Sequence, residues 1–245
     1  HHLLDRRQPT MPEKRIDHPV GLRLQTACLG HVASAAELTG YVTLTSDFVR
    51  RGVSQSDANP ALQLGADLAF QGGFVAGAWA STVDNRSEAG HQRDIELNVY
   101  AGYGRDTGDR WRLSGFVIAY NYPGMDTPFD YDYVELLGSA NYDDRFWLEF
   151  AYAPDYYGTG EPAWNAELLG EWPLFGAWRV SAGLGRFDLN RVVDADYTYW
   201  QAGITGDVGV VSLDLRFHDT DGVVPFFSSP NTARERIVLT LIVPF

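Results

Sequence analysis

From Gly40 onward the chain alternates apolar and polar positions with a period of two. Val42, Leu44 and Phe48 alternate with Thr43, Thr45 and Asp47; Leu62, Leu64, Ala66, Leu68 and Phe70 alternate with Gln63, Gly65, Asp67 and Ala69. The same pattern carries Leu97, Val99, Ala101 and Tyr103 against Glu96, Asn98, Tyr100 and Gly102. It returns at the end of the chain in Ile237, Leu239, Leu241, Val243 and Phe245. A period of two is what strands show when their two faces meet different surroundings. No sustained helical period interrupts it. Turn-forming residues between the runs predict twelve strands, at 40–50, 61–71, 74–84, 94–105, 110–121, 131–142, 145–154, 163–172, 177–188, 196–206, 209–219 and 234–245.

The connections alternate in length. Gly72-Gly73, Asp106 to Asp109, Asp143-Asp144, Pro173 to Gly176 and Asp207-Val208 are short; Gln55 to Pro60, Asn85 to Arg93, Tyr122 to Asp130, Asp155 to Pro162, Leu189 to Ala195 and Thr220 to Ala233 are generally longer. Short turns on one rim and long loops on the other are the plan of an outer-membrane barrel. Length agrees: residues 36–245 allow about 17 residues per strand and connection, where a tilted spanning strand needs about 9–11. Phe245, closing a strand of alternating apolar residues, has the form of a terminal insertion signal read by the barrel-assembly machinery. Trp111, Trp147, Trp164, Trp172, Trp178, Tyr197 and Trp200 stand near strand ends, where aromatic girdles meet the headgroups. A soluble sandwich or lipocalin-like barrel shows the same period with its faces reversed. The expectation is therefore a single antiparallel transmembrane β-barrel of about twelve strands, all-β, and the direction of Leu62, Leu64 and Leu68 decides it: outward means lipid, inward means a soluble core.

Residues 1–35 differ from the rest of the chain. They hold Cys28, the chain's sole cysteine, and Lys14, its sole lysine, and they end in Ala33-Ser34-Ala35, which has the form of a signal-peptidase site. Arg23 and His31 break the apolar stretch 20–32 that a signal would need. The segment reads as a presequence, a degenerate signal peptide or a disordered tail, with the barrel occupying 36–245. Charge adds two exclusions. Thirty-two acids against 19 bases give a net charge of −13, opposed to nucleic-acid binding. No apolar run is long enough for a spanning helix. Setting aside Asp5, Glu13, Asp17, Arg6, Arg7, Lys14, Arg15 and Arg23 leaves 29 acids against 14 arginines.

The stretch Val42-Thr-Leu-Thr-Ser-Asp-Phe-Val-Arg-Arg-Gly-Val-Ser-Gln-Ser-Asp57, followed by Pro60-Ala-Leu-Gln63 and Gly73-Phe-Val-Ala-Gly-Ala-Trp79, resembles the opening of a proteobacterial family. That family is known as Gcw_chp and is also labelled TorF-type porin. Gly203-Ile204 and Leu213-Asp-Leu-Arg-Phe-His-Asp-Thr-Asp221 resemble its C-terminal part. The resemblance implies an outer-membrane barrel with a transport role in a Gram-negative bacterium, and no site residues.

If the apolar face meets lipid, the lumen receives Asp47, Asp67, Glu96, Glu135, Glu149, Glu167, Glu171 and Asp214, with Arg112, Arg179, Arg216 and Arg236. Two readings stand. One is a polar channel for small solutes or ions whose acidic excess favours cations. The other is a set of carboxylate–guanidinium pairs that plugs the barrel, leaving a structural or adhesin role to its loops. A lipid hydrolase is a third class, resting on His218 with Ser228 and Ser229 in the following loop. His218, Asp219 and Asp221 lack the spacing of a calcium loop, and no zinc, phosphate-loop or nucleophile-elbow motif occurs. The expected partners are outer-membrane lipid and the assembly machinery; no cofactor and no catalytic residue is expected.

Overall fold

The computed structural model describes residues 36–86, 92–124, 131–222 and 231–245. The expected presequence lies outside the described residues, as do Ser228 and Ser229. Twelve strands close into one antiparallel barrel. They are β1 (Ala36–Thr45), β4 (Ala61–Phe70), β5 (Phe74–Arg86), β6 (Gln92–Thr107), β7 (Trp111–Asn121), β8 (Tyr133–Tyr142), β9 (Phe146–Ala153), β10 (Ala163–Phe175), β11 (Trp178–Asp188), β12 (Asp196–Val208), β13 (Val211–Thr220) and β14 (Arg236–Pro244). Two further strands of two residues each, β2 (Val49–Arg50) and β3 (Val53–Ser54), form a separate hairpin.

Every barrel strand pairs with its neighbour in sequence, and β1 closes the ring on β14 from Thr45↔Thr240 to Tyr41↔Pro244. Phe245 extends the seam: its amide donates to the Gly40 carbonyl at 2.9 Å and its carbonyl accepts from the Gly40 amide at 3.1 Å. A Cβ on Gly40 would stand 2.6 Å from the Phe245 ring, so the seam packs tightly only over a glycine. The short turns stay short. At Asp143-Asp144 both residues adopt positive φ, 57° and 51°, the backbone that a two-residue hairpin on twisted strands demands and that Asp tolerates better than most residues.

Leu62, Leu64 and Leu68 point outward, with 54%, 52% and 41% of their surface exposed. Leu44, Leu148, Phe150, Leu184, Leu215 and Leu239 do the same around the ring. An apolar exterior on a closed barrel is the inverse of a water-soluble one and fits a lipid surround. The soluble alternative therefore falls, and the chain is a transmembrane β-barrel.

Two expectations shift. Strand β1 ends at Thr45 and does not run on to 50, because at Ser46–Phe48 the chain leaves the wall and turns into the barrel. Trp147 and Tyr197 belong to the interior and not to a girdle: both are almost fully buried. They share strand parity with the inward residues Glu149 and Tyr199, so nearness to a strand end does not place them at a membrane interface. Trp111 and Trp172, by contrast, face outward near the short-turn rim.

Candidate functional site

The inward face is not uniformly polar, and its two halves differ. Along β1 and β4 to β7 it is closely packed: Tyr41, Thr43, Gln63, Trp79, Ser81, Asn98, Tyr100, Ile118 and Tyr120 are all buried, with Gln63 and Tyr120 at the border of the remaining space. Along β9 to β13 the inward side chains Glu149, Glu167, Glu171, Arg179, Gln201, Asp214, Arg216 and His218 stay partly open. They line a cavity of about 220 Å³ whose roof is made by Phe48, Val49, Arg50, Arg51 and Gly52.

The roof is the hairpin β2–β3. Its tip, Arg51-Gly52, has φ of 50° and 77°, so both residues are left-handed, as a tight two-residue turn requires. Gly52 lies where a Cβ would stand 2.5 Å from the Tyr199 Cβ, so the tip touches the β12 wall and admits only glycine there. The base is fastened by Asp47. Its carboxylate accepts from Ser54 Oγ at 2.6 Å and Ser56 Oγ at 3.0 Å, and it pairs with Arg236. Arg236 also donates to the carbonyls of Asn231 and Thr232, and the Ser54 amide donates to Thr232, which ties the hairpin to the last long loop. Beyond the tip, Arg51 Nη2 donates to Glu135 Oε2 at 2.8 Å and Arg50 Nη2 lies 3.6 Å from Glu135 Oε1. The Arg50 guanidinium also stacks 4.3 Å above the Tyr120 ring and donates to Tyr133 Oη at 2.9 Å. The Arg51 guanidinium stacks 4.6 Å above Phe187. The hairpin thus crosses the lumen from the β14–β1 seam to β8 and β11.

Above it, the long-loop end is filled by an aromatic core. Tyr122, Tyr133, Tyr156, Tyr157, Phe187, Leu189 and Tyr197 are buried together with Phe48 and Val53. The short α1 (Asn190–Val193) packs Val192 and Val193 against this core. Burial pushes the Tyr156 phenol far above its ordinary pKa, with Tyr157 and Tyr133 adding to the effect, so it stays neutral. Burial works against the charge of Arg51, but Glu135, Tyr120 and Tyr133 together outweigh it and the guanidinium pKa is raised.

The twelve residues expected in the lumen all occupy inward positions, in different roles. Asp47, Glu135, Glu149, Glu167, Glu171, Arg179, Asp214 and Arg216 line the cavity. Arg179 lies 3.4 Å from Glu171 and 3.2 Å from Asp207; Arg216 donates twice to Asp214 and once to Gln201. Glu167 accepts from Tyr199 Oη and Gln201 Nε2, and it stands directly across from Glu149 in the β9–β10 register. The other four do not line it. Asp67 accepts from Tyr100 Oη at 2.6 Å and Glu96 from Asn98 Nδ2 at 2.8 Å, both within the packed half. Arg112 pairs with Asp106 near the short-turn rim, and Arg236 holds Asp47. Arg50, Arg51, Tyr120 and Gln201 escaped the sequence reading, in which Arg50 ends the first strand and Arg51 follows it. The signal was present in Arg51-Gly52 between Val49 and Val53, a two-residue interval separating two short β runs.

His218 faces the cavity and pairs in register with Gln201 and Arg236, so it does not present itself to lipid headgroups. Among the described residues no group of three or more His, Cys, Asp or Glu side chains forms a metal site.

The fold and its lumen define a class: a twelve-stranded transmembrane β-barrel with an internal hairpin across its bore. The sequence belongs to the family of bacterial proteins of unknown function called Gcw_chp, whose model matches residues 30–243. No curated protein matches the sequence. Among solved structures it is similar to a chain from work on the in-meso crystallization of membrane proteins, with a TM-score of 0.53 at 10% identity, covering 85% of this chain and 83% of that one. It is also similar to the KdgM porin, with a TM-score of 0.52 at 8% identity, covering 85% of this chain and 98% of that one. At these identities the likeness concerns the fold.

Proposed function

We propose that the protein is a porin-like channel of the Gram-negative outer membrane that passes small polar solutes and favours cations. The observation that carries this reading is the polar cavity along β9 to β13, lined by six carboxylates (Asp47, Glu135, Glu149, Glu167, Glu171, Asp214) and four guanidinium groups (Arg50, Arg51, Arg179, Arg216). A polar wall with this excess of two negative charges lowers the energy of a passing cation and raises that of an anion. The apolar exterior and the likeness to a porin fold support the outer-membrane placement. The short turns would face the periplasm, and the strand ending at Phe245 would be the element that the assembly machinery reads.

The hairpin restricts what passes. It makes the bore narrow and selective by size, where an open twelve-stranded barrel would be wide. The test is liposome swelling with the refolded protein, its barrel confirmed by heat-modifiable gel mobility. Swelling in pentoses and amino-acid-sized solutes, falling steeply for trisaccharides, is expected. A folded barrel that gives no swelling with any solute would overturn the channel reading in favour of a plugged structural barrel.

A further inference from the structure

Glu135 carries a feature that barrel closure does not need. Its carboxylate is 3% exposed, on the inner wall of β8, and it accepts from Arg51 Nη2 at 2.8 Å and from Tyr120 Oη at 3.3 Å. Beside it, Tyr120 and Tyr133 stack face to face, 4.6 Å apart and 8° from parallel, and Phe187 closes the opposite side over Arg51. Edge contacts from Tyr156 and Tyr157 at 5.0 and 5.1 Å fix the Tyr133 ring. A buried carboxylate framed by rigid aromatic faces is the chemistry that recognises a flat organic cation. Arg50 Cζ lies 4.3 Å over the Tyr120 ring while its Nη1 donates to Tyr133 Oη, and Arg51 Cζ lies 4.6 Å over Phe187 while its Nη2 donates to Glu135. A guanidinium, broad and weakly hydrated, meets ring and acceptor together more readily than a compact ammonium.

The occupant is part of the chain itself, held near the tip also by the packing of Gly52 on Tyr199 and of Val53 in the aromatic core. The hairpin that supplies both arginines has only the pairs Val49↔Ser54 and Arg50↔Val53, and a two-stranded hairpin is marginal alone. Arg50, Arg51, Tyr120 and Glu135 all open onto the cavity, so a solute inside the lumen reaches the site.

We infer that Glu135, Tyr120, Tyr133 and Phe187 form a binding site for guanidinium-bearing solutes, filled in this structure by the protein's own Arg50 and Arg51. A free guanidinium solute competes with the tethered pair and releases the hairpin tip from the wall. This rests on the channel reading only for the solute's arrival; the site itself is defined by the wall. A tethered ligand acts at an effective concentration on the order of millimolar or above. The intact protein therefore binds a free competitor weakly, and removal of the tether unmasks the site.

The test is calorimetric titration of L-arginine into the refolded R50A/R51A protein, with L-citrulline as the neutral isostere and heat-modifiable mobility as the check on folding. Saturable arginine binding at least tenfold tighter than in the wild type, absent with citrulline and lost on adding E135Q, is the expected result. If the double variant does not fold, R51A alone removes the 2.8 Å contact and is expected to bind arginine more tightly than the wild type. A folded variant that binds no arginine, or binds citrulline equally, or is indifferent to E135Q, overturns the site. A variant that binds arginine yet gives no liposome swelling keeps the site and removes the channel reading; one that swells liposomes and binds nothing does the reverse.

Discussion

Replacing Val49–Ser54 by Gly-Gly removes the roof of the cavity at a place where the chain can be rejoined. The Gln55 amide donates to the Phe48 carbonyl at 2.6 Å, so the two ends already meet. Twelve strands spaced about 4.8 Å apart and tilted about 40° give a backbone radius near 12 Å. An inward side-chain layer of about 5 Å leaves a free radius of roughly 7 Å. Over the apolar height of about 25 Å, such a bore would enclose roughly 3,800 Å³, or on the order of 2,500 Å³ for the centres of water molecules. The actual cavity is about 220 Å³, so most of the bore is filled. The hairpin, about 10 Å wide, covers most of a free diameter of about 14 Å over roughly 10 Å of the bore's height. With that stretch narrowed to about a fifth of the open area and resistances added in series, removing the hairpin raises conductance by at most roughly two- to threefold, because the packed half and the aromatic core stay in place. Planar-bilayer recording of both proteins in one salt measures the ratio directly. Equal single-channel conductance in a variant with normal heat-modifiable mobility would refute the hairpin as the constriction.

The faces of the barrel make separate predictions. Leu64→Arg places a charge against hydrocarbon and is expected to cost about 2–4 kcal/mol near the bilayer midplane, read as a fall in the urea midpoint of folding into vesicles; an unchanged midpoint would return Leu64 to water. Trp147→Ala empties a buried interior position and is expected to cost about 3–5 kcal/mol. Trp172→Ala, on the exposed outer face, is expected to cost clearly less in the same denaturation series, and a reversed order would undo the assignment of the two rings.

Much of the barrel was legible because a membrane barrel obeys one rule at every strand. Parity places Leu62, Leu64 and Leu68 on one face and Gln63 and Asp67 on the other, and the register cannot slip without reversing all of them; which face is outer comes from the structure. Eleven of the twelve charged candidates lie on barrel strands at inward parity, and Asp47 lies past the end of β1. What parity could not give was their height in the bore or their partners. Glu135 meets Arg50 and Arg51 across more than eighty residues, only because the chain after Thr45 folds inward. Asp47 and Phe48 carry the alternation past Thr45, where β1 leaves the wall, before it fails at Val49-Arg50, so the period conceals the departure. Trp147 and Tyr197 misled for a related reason: closeness to a strand end suggests a girdle, but in a filled barrel aromatic rings also serve as packing.

The central claim is that a cation-favouring path runs along β9 to β13, where Glu149 and Glu167 face each other across the register. The reversal potential of the refolded wild type in a KCl gradient tests it most directly, alongside E149Q/E167Q in the same gradient. Stepwise openings with a potential displaced toward that of K⁺, and a displacement diminished or reversed in the double variant, are expected. A potential displaced toward that of Cl⁻ in the wild type, or a confirmed barrel with no conductance at all, would contradict it.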